Sequence, residues 1–377
     1  MEHLSCQVIR TKEELYELCD AWRELMDHSE SSSIFLTWEW IASWVESVYP
    51  GVKLFVVLVK NGHGAIVAIA PFYIEIFTLF TIFKYKTLRF AGDFHTGMEY
   101  PDILVRKGYN PAALEQISRQ LAEHKQEWDC AWLPNVASWS GALDRLSACF
   151  EKTNLSFCRR RNMEFSSIPL PGSYEEFLQR FSSKQRRNFR SRERRIFEQR
   201  DVAIRMCQSQ TDLEEFLATL FRLHEKRWQH AGRTGAFVRR PLMVEFYKKM
   251  AACALEKGWL GFFILRVNGE DIAAQYGYIH NKTFSSLQEG FSPEGPSGCG
   301  NILRLHVIRW CIQNGCEEYD FLGGYSEHKK NWLAEKRRGY SLFLGRTYYK
   351  NIFFKLLPIW PSGRYINQGG PVFHRSH

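Results

Sequence analysis

The stretch best suited to chemistry is Ser286-Leu287-Gln288-Glu289-Gly290-Phe291-Ser292-Pro293-Glu294-Gly295-Pro296-Ser297-Gly298-Cys299-Gly300-Asn301-Ile302-Leu303. A strand pattern enters a Gly/Pro/Ser loop, and a helical pattern leaves it. Glycine lets backbone approach a ligand closely and point several N–H groups the same way. The first turn of a helix adds donors without internal partners and the positive end of the helix dipole. Together these suit a diphosphate. The spacing is neither GxxxxGK[ST] nor a GxGxxG opening the first βαβ unit, which argues against a P-loop NTPase and a dinucleotide-binding Rossmann site. The plainer alternative is a strand–helix connection that binds nothing.

Two further groups could meet a ligand. His224, Arg227 and Trp228 share one helix face at i, i+3 and i+4. They read either as the wall of an acceptor site or as ordinary helix surface. His224-Glu225-Lys226-Arg227-Trp228-Gln229-His230 is not HExxH, so zinc is not indicated. The run Lys184 to Arg195 has seven basic residues and a single acid, Glu193. If helical, it lines up Arg187, Arg190 and Arg194. Arginine forks suit phosphate, and a solvated basic face is the alternative. No helix-turn-helix, RRM or zinc-finger pattern accompanies the run, which argues against nucleic acid in general.

These residues need a scaffold, and the sequence offers one plan twice. Helices at about 11–28 and 38–48 precede strand Leu54–Lys60, turn Asn61-Gly62-His63-Gly64 and strand Ala65–Ile74. Helices at 211–230 and 241–257 precede strand Trp259–Val267, turn Asn268-Gly269-Glu270-Asp271 and strand Ile272–Ile279. Asn-Gly between apolar runs marks a hairpin, because both residues tolerate positive φ. Strand, helix and strand follow each hairpin, at Thr87–Gly92, Pro111–His124 and Asp129–Pro134, and again at Thr283–Phe291, Asn301–Asn314 and Glu318–Leu322. A crossover helix implies parallel pairing inside an otherwise antiparallel sheet. The expected fold is α/β, with two modules of one plan, at 1–165 and 166–348, and an apolar, basic tail from 349 to 377. Pro169, Pro171 and Gly172 punctuate the join, and Ser173 reads as the N-cap of the next helix.

Composition agrees and sets limits. The 377 residues are 45% hydrophobic and 15% aromatic, enough for two cores. The net charge of +9 favours anionic partners without choosing among them. Ten scattered cysteines form no CxxC pair and no zinc spacing, and read as reduced thiols of a cytoplasmic protein. The N-terminal residues lack an apolar signal core, and no apolar run approaches the ~20 residues that span a bilayer. Peripheral contact with the inner face of the membrane, through the tail, stays open.

The second half resembles GNAT-type acyltransferases, in particular the CelD/BcsL-like acetyltransferases associated with cellulose biosynthesis. The resemblance rests on an ordered series. It runs through Ser183-Lys184-Gln185-Arg186-Arg187-Asn188-Phe189-Arg190, Leu223-His224-Glu225-Lys226-Arg227-Trp228, Gly235-Ala236-Phe237 and Phe246-Tyr247. It continues with Gly258-Trp259-Leu260, Ile272-Ala273-Ala274-Gln275-Tyr276-Gly277, Gln288-Glu289-Gly290-Phe291-Ser292-Pro293, Tyr319-Asp320-Phe321-Leu322-Gly323-Gly324 and Lys329-Lys330-Asn331-Trp332. The first half matches more weakly, through Phe35-Leu36-Thr37-Trp38-Glu39-Trp40 and Ala70-Pro71-Phe72. The resemblance implies tandem GNAT-like modules, each a mixed, mostly antiparallel sheet flanked by helices, as in the related Fem-type aminoacyl transferases. It implies acyl-CoA as a co-substrate, with no permanently bound cofactor and no metal.

On that footing Gln288, Gly290, Phe291, Ser297, Gly298, Cys299, Gly300 and Asn301 would hold the donor. GNAT chemistry needs polarising N–H groups, a base for the acceptor and an acid for the leaving thiolate. Glu289 is a candidate base or a plain strand carboxylate. Asp320 is a candidate base or acceptor-orienting group, or a buried structural aspartate. Tyr325 is a candidate acid or a packing residue. Lys329, His224, Arg227, Trp228, Arg187, Arg190 and Asp102 would meet the acceptor, a sugar, glycan precursor or small metabolite that could be anionic. The family pattern has an aromatic where His328 stands. An acyl carrier protein is an alternative donor. Transfer from aminoacyl-tRNA and a non-catalytic exopolysaccharide-assembly role are alternative functions. The first module lacks the Gly-rich loop and is expected to bind no CoA.

Overall fold

A computed structural model describes residues 3–345 apart from 32, 49–51, 80–82, 94, 154 and 200. The expected tail from 349 lies outside the described residues. Strands in chain order are β1 (Ser5–Ile9), β2 (Lys53–Lys60), β3 (Ile66–Leu79), β4 (Phe83–Phe90), β5 (Leu104–Val105), β6 (Cys130–Ala137), β7 (Ser156–Pro169), β8 (Val202–Met206), β9 (Leu260–Val267), β10 (Glu270–His280), β11 (Thr283–Phe291), β12 (Glu318–Gly323) and β13 (Glu335–Gly345). Helices are α1 (Lys12–Tyr16), α2 (Cys19–Asp27), α3 (Trp38–Val48), α4 (Asn110–Glu123), α5 (Ala142–Glu151), α6 (Tyr174–Gln179), α7 (Ser183–Phe197), α8 (Gln210–His230), α9 (Ala236–Arg239), α10 (Pro241–Glu256), α11 (Cys299–Gln313) and α12 (Glu327–Lys330).

The described residues form two compact units, one from residues 3–164 together with 337–345, the other from 165–336. In the first, β1, β2, β3 and β4 pair antiparallel in that order, β6 runs parallel to β4, and β13 closes against β6 antiparallel. In the second, β8, β9, β10 and β11 pair antiparallel, β12 runs parallel to β11, and residues 165–169 of β7 pair antiparallel with β12. The strands of the two units therefore follow one order, as the repeated plan predicts. The expected module boundary at 348 needs correcting. Residues 339–345 hydrogen-bond to β6, from Gly339 opposite Ala137 to Gly345 opposite Cys130, so they belong to the first unit.

Local chemistry explains the elements. Asn61 accepts from the amides of His63 and Ala65, at 3.1 and 3.0 Å, and ties the first hairpin turn. Asn268 and Gly269 take φ of 51° and 80° and close the second. Ser173 caps α6 through the Glu176 amide, as its position predicts, and Ser182 with Gln185 forms a capping box on α7. The first core packs Phe55, Val57 and Phe72 against Ile117 and Leu121 of α4. The second packs Phe263, Leu265 and Phe284 against Ile302, Leu305 and Ile308 of α11. Among the described residues no helix is long and apolar enough to cross a membrane.

Candidate active site

β11 and β12 keep parallel register only from Thr283–Ser285 against Glu318–Asp320. β11 then continues to Phe291 along β10 while β12 turns away. The turn has a local cause. Asp320 Oδ1 accepts from the Leu322 amide at 2.7 Å, and Leu322 adopts a left-handed φ of 59°. Side-chain capping of the backbone offsets the strain of a bulky residue in that region. The splay opens a cleft of about 990 Å³, lined by the outer half of β11, the loop to α11 and residues of α7, α8 and α12.

Gly298 forms the mouth of α11 with φ of 84° and no side-chain cap. Among the described residues no backbone carbonyl accepts from the amides of Ser297, Gly298 or Gly300. The expected donor residues Gln288, Gly290, Phe291, Ser297, Gly298, Cys299, Gly300 and Asn301 all line the cleft. Their contributions differ. Cys299 is buried, with Sγ 3.8 Å from the Ile272 carbonyl, and burial pushes its thiol up. It offers backbone rather than thiolate chemistry. Gln288 Nε2 donates to the Tyr247 hydroxyl at 3.1 Å. Gly290 is there for α8: a Cβ at this position would sit 2.6 Å from the His224 amide nitrogen and 2.8 Å from the Leu223 carbonyl carbon. Those are backbone atoms that cannot rotate aside. Gly290→Ala is expected to destabilise the protein by about 1–3 kcal/mol, read as a lowered urea midpoint. A midpoint equal to wild type would refute the close packing.

Glu289 is bound to Arg304, which is buried at 4% exposure. Arg304 Nε donates to Oε1 at 3.2 Å and Nη2 donates to Oε2. Its Nη1 reaches Asn301 Oδ1 at 3.0 Å and His328 Nε2 at 2.9 Å. The guanidinium also lies over the rings of Phe321 and Trp332. Arginine can only donate, so His328 Nε2 accepts and carries no proton. Burial pushes the Glu289 carboxyl up, but the charge and hydrogen bonds of Arg304, joined by the Arg227 charge, together outweigh it and hold the group below the usual carboxylate range. Burial and then Arg304 lower the His328 imidazole. This linkage sets Glu289 as a fixed anion, a weak proton acceptor at neutral pH.

The remaining expected residues separate into two sets. Lys329 lines the cleft, but its Nζ donates to the carbonyls of Phe321, Gly323 and Gly324 at 2.9, 2.7 and 2.9 Å. It holds the turn after β12. His224, Arg227 and Trp228 line the cleft together. Trp228 Nε1 donates to His224 Nε2 at 3.0 Å, and Arg227 Nη1 donates to the Glu289 carbonyl at 3.2 Å. The structure does not bring Asp320, Tyr325, Arg187, Arg190 or Asp102 into the cleft lining. Asp320 is buried in the turn it caps. Tyr325 lies under the Lys336 ammonium, 5.5 Å from its ring centroid. Arg187 and Arg190 face solvent on α7. Asp102 is 2% exposed and bonded to Ser31, Arg145 and the Ile103 amide inside the first unit. A carboxylate so engaged cannot serve an acceptor there. Sequence reasoning missed Arg192, Gln275, Ser286, Arg304 and His328, which all line the cleft.

Fold and cleft define a class. Residues 183–330 match the family model described as Acetyltransferase (GNAT) domain, so the chain carries a GNAT-superfamily acetyltransferase domain, an acyltransferase fold. That match lends no support to the narrower CelD/BcsL-like assignment. No curated protein matches the chain in sequence. Among solved structures, FemX is 10% identical, with a TM-score of 0.61 over 93% of this chain and 99% of that one. A DUF2156 domain from Agrobacterium fabrum is 12% identical, with a TM-score of 0.55 over 96% and 100%. L-PGS from Bacillus licheniformis is 12% identical, with a TM-score of 0.54 over 90% and 94%. At these identities the likeness is one of fold, and it extends across both units.

Proposed function

We propose that the second unit transfers an acyl group from acyl-CoA to an amine or hydroxyl of a sugar, glycan precursor or small metabolite. The observation that carries this reading is the Gly298–Gly300 turn, which opens onto the same cleft as the half of β11 that β12 leaves uncovered. A diphosphate at the turn and a thioester laid along β11 would occupy one continuous space. Strand amides past Ser286, free of β12, would polarise the thioester carbonyl. The acceptor N or O attacks the carbonyl carbon, the C–S bond breaks, and the acceptor's proton passes to the water of the cleft as the thiolate leaves. In this reading Glu289 and Arg304 position the donor-side wall, and Asp320 shapes the gap rather than carrying a proton. The donor is a co-substrate, and a carrier-protein thioester would present the same reacting atoms.

A thiol-release assay with a panel of acyl-CoAs and amino or hydroxyl acceptors tests the proposal. Acceptor-dependent release of free CoA is expected. Folded protein that neither binds CoA nor releases thiol would sink it.

A second reading, aminoacyl transfer from tRNA, is favoured by one feature. Lys184, Arg187, Arg190, Arg194 and Arg195 are all exposed on α7. Filter binding of tRNA that weakens steeply between low and physiological salt would support that reading. No retention of tRNA at low salt would remove it.

A further inference from the structure

Four side-chain cations and a single carboxylate line the cleft: Arg192, Arg227, Arg304 and Lys329 against Glu289. Two of the cations have partners already. Arg304 takes the carboxylate, and Lys329 takes the carbonyls after β12. Arg192 and Arg227 pair with no carboxylate among the described residues, although Arg227 gives one N–H to the Glu289 carbonyl at 3.2 Å. No carboxylate of a described residue lies within ion-pair distance of either, whereas Arg205 and Arg266 share Glu215. They come from separate helices, α7 and α8, and both line the cleft. The Arg192 side chain lies against Gly298, with Cδ 3.3 Å and Nη1 3.5 Å from where a Cβ would stand. Arg227 lies over the Phe291 ring, 5.4 Å from its centroid. The other end of that contact is Gly300, whose notional Cβ is 3.4 Å from Phe291 Cδ1.

We propose, resting on the acyl-CoA reading above, that Arg192 and Arg227 together clamp the donor's diphosphate over Gly298 and Gly300. A diphosphate diester carries two negative charges, and guanidinium forks match phosphate oxygens in geometry as well as charge. The backbone donors of the turn supply direction, and the two arginines supply compensating charge. The cleft's one carboxylate is already neutralised by Arg304, so it does not compete. This assigns Arg227 to the donor rather than to the acceptor wall. It gives α7 a task in the site through Arg192, which is exposed like Arg187 and Arg190 but lies against Gly298.

Calorimetry with two ligands separates the possibilities. CoA carries the diphosphate, and pantetheine offers the same thiol arm without any phosphate. Arg192→Ala and Arg227→Ala are each expected to weaken CoA about tenfold, the order of one charge-assisted contact at a partly solvated site. Pantetheine binding should stay at the wild-type level. Arg227→Gln, which keeps most of the side chain's packing on Phe291, guards against a folding artefact and should weaken CoA similarly. Unchanged CoA affinity in both single variants overturns the clamp and leaves the acyl-CoA reading standing. Equal losses for CoA and pantetheine also overturn it, because they point to general damage. A wild-type chain that binds no CoA overturns the acyl-CoA reading and the clamp together.

Discussion

Glu289→Gln is expected to cost about 3 kcal/mol or more of folding stability, because it leaves the buried Arg304 charge without its counter-ion. Arg304→Met is expected to cost less, because the Glu289 side chain is 24% exposed and water can solvate the carboxylate left behind. The pair is linked by two hydrogen bonds, and the arginine side chain is only 5% exposed against 24% for the glutamate, so water cannot cheaply replace the arginine's partner. The double variant Glu289→Gln with Arg304→Met should be less destabilised than the sum of the singles, with a coupling of about 1–3 kcal/mol in a urea-denaturation cycle. Additive losses would show that the two groups stand alone. Activity should separate from stability in this cycle. A fixed anion that positions Arg304 predicts a partial recovery of acyl transfer in the double variant. A proton-carrying Glu289 predicts none, since neither variant restores a base. The pH dependence follows from the direction of the shift. The folded Glu289 carboxyl sits below its ordinary value, so its stabilising share is complete at neutral pH. That share is lost only as pH falls from the ordinary carboxylate range through the depressed folded value.

Much of the scaffold was legible because its signals are local. Asn61-Gly62 and Asn268-Gly269 mark hairpins by their own conformational tolerance. Ser173 caps a helix with a hydroxyl three residues from its target. The Gly/Pro/Ser loop announces a strand-to-helix connection, and its glycines face the cleft as expected. What escaped was set by distance along the chain. Nothing near residues 335–345 says that their partner is β6, some 200 residues earlier; only the assembled sheet decides it. Glu289 and Arg304 are fifteen positions apart on different elements, so neither residue's neighbours disclose the bond. Glu289 therefore read as free. Lys329 read as a ligand cation for the same reason, since its acceptors are carbonyls exposed by the β12 turn. Asp320 was ambiguous at the sequence level, because alternation along a strand decides facing only while the strand stays regular. The left-handed Leu322 ends that regularity, and the carboxylate caps the turn it would otherwise have faced across. Arg192 was missed because the helical stripe drawn through Arg187, Arg190 and Arg194 is the solvent face of α7, whereas Phe189 and Ile196 mark the packed face beside which Arg192 lies.

His224 carries the second large expectation, a loss of about 2–3 kcal/mol of stability between pH 7.5 and 4.5 that a His224→Gln variant should lack. The side chain is 3% exposed. Trp228 Nε1 can only donate, so His224 Nε2 accepts and the ring's proton rests on Nδ1. That nitrogen is buried and has no hydrogen-bond partner among the described residues. A second proton would place a cation in this apolar pocket next to Arg227 and Arg239. Burial first, and then those two charges, push the imidazole down to about 4. The unfolded chain keeps an ordinary imidazole near 6.5. Between the two values the unfolded state binds a proton that the folded state refuses, so stability falls as pH drops through that window and is full above it. Glutamine can still accept from Trp228 but does not titrate, so its stability should be nearly flat over the same range, apart from contributions common to both proteins. Urea midpoints for the two proteins at pH 7.5 and 4.5 make the comparison. Parallel losses in both would mean that His224 is already protonated in the fold or reaches water. Because α8 seats on β11 through Leu223 and His224 against Gly290, the same protonation should loosen the donor-side wall, and CoA affinity should fall further across this window in wild type than in the glutamine variant, which keeps only the share set by CoA's own phosphate titration.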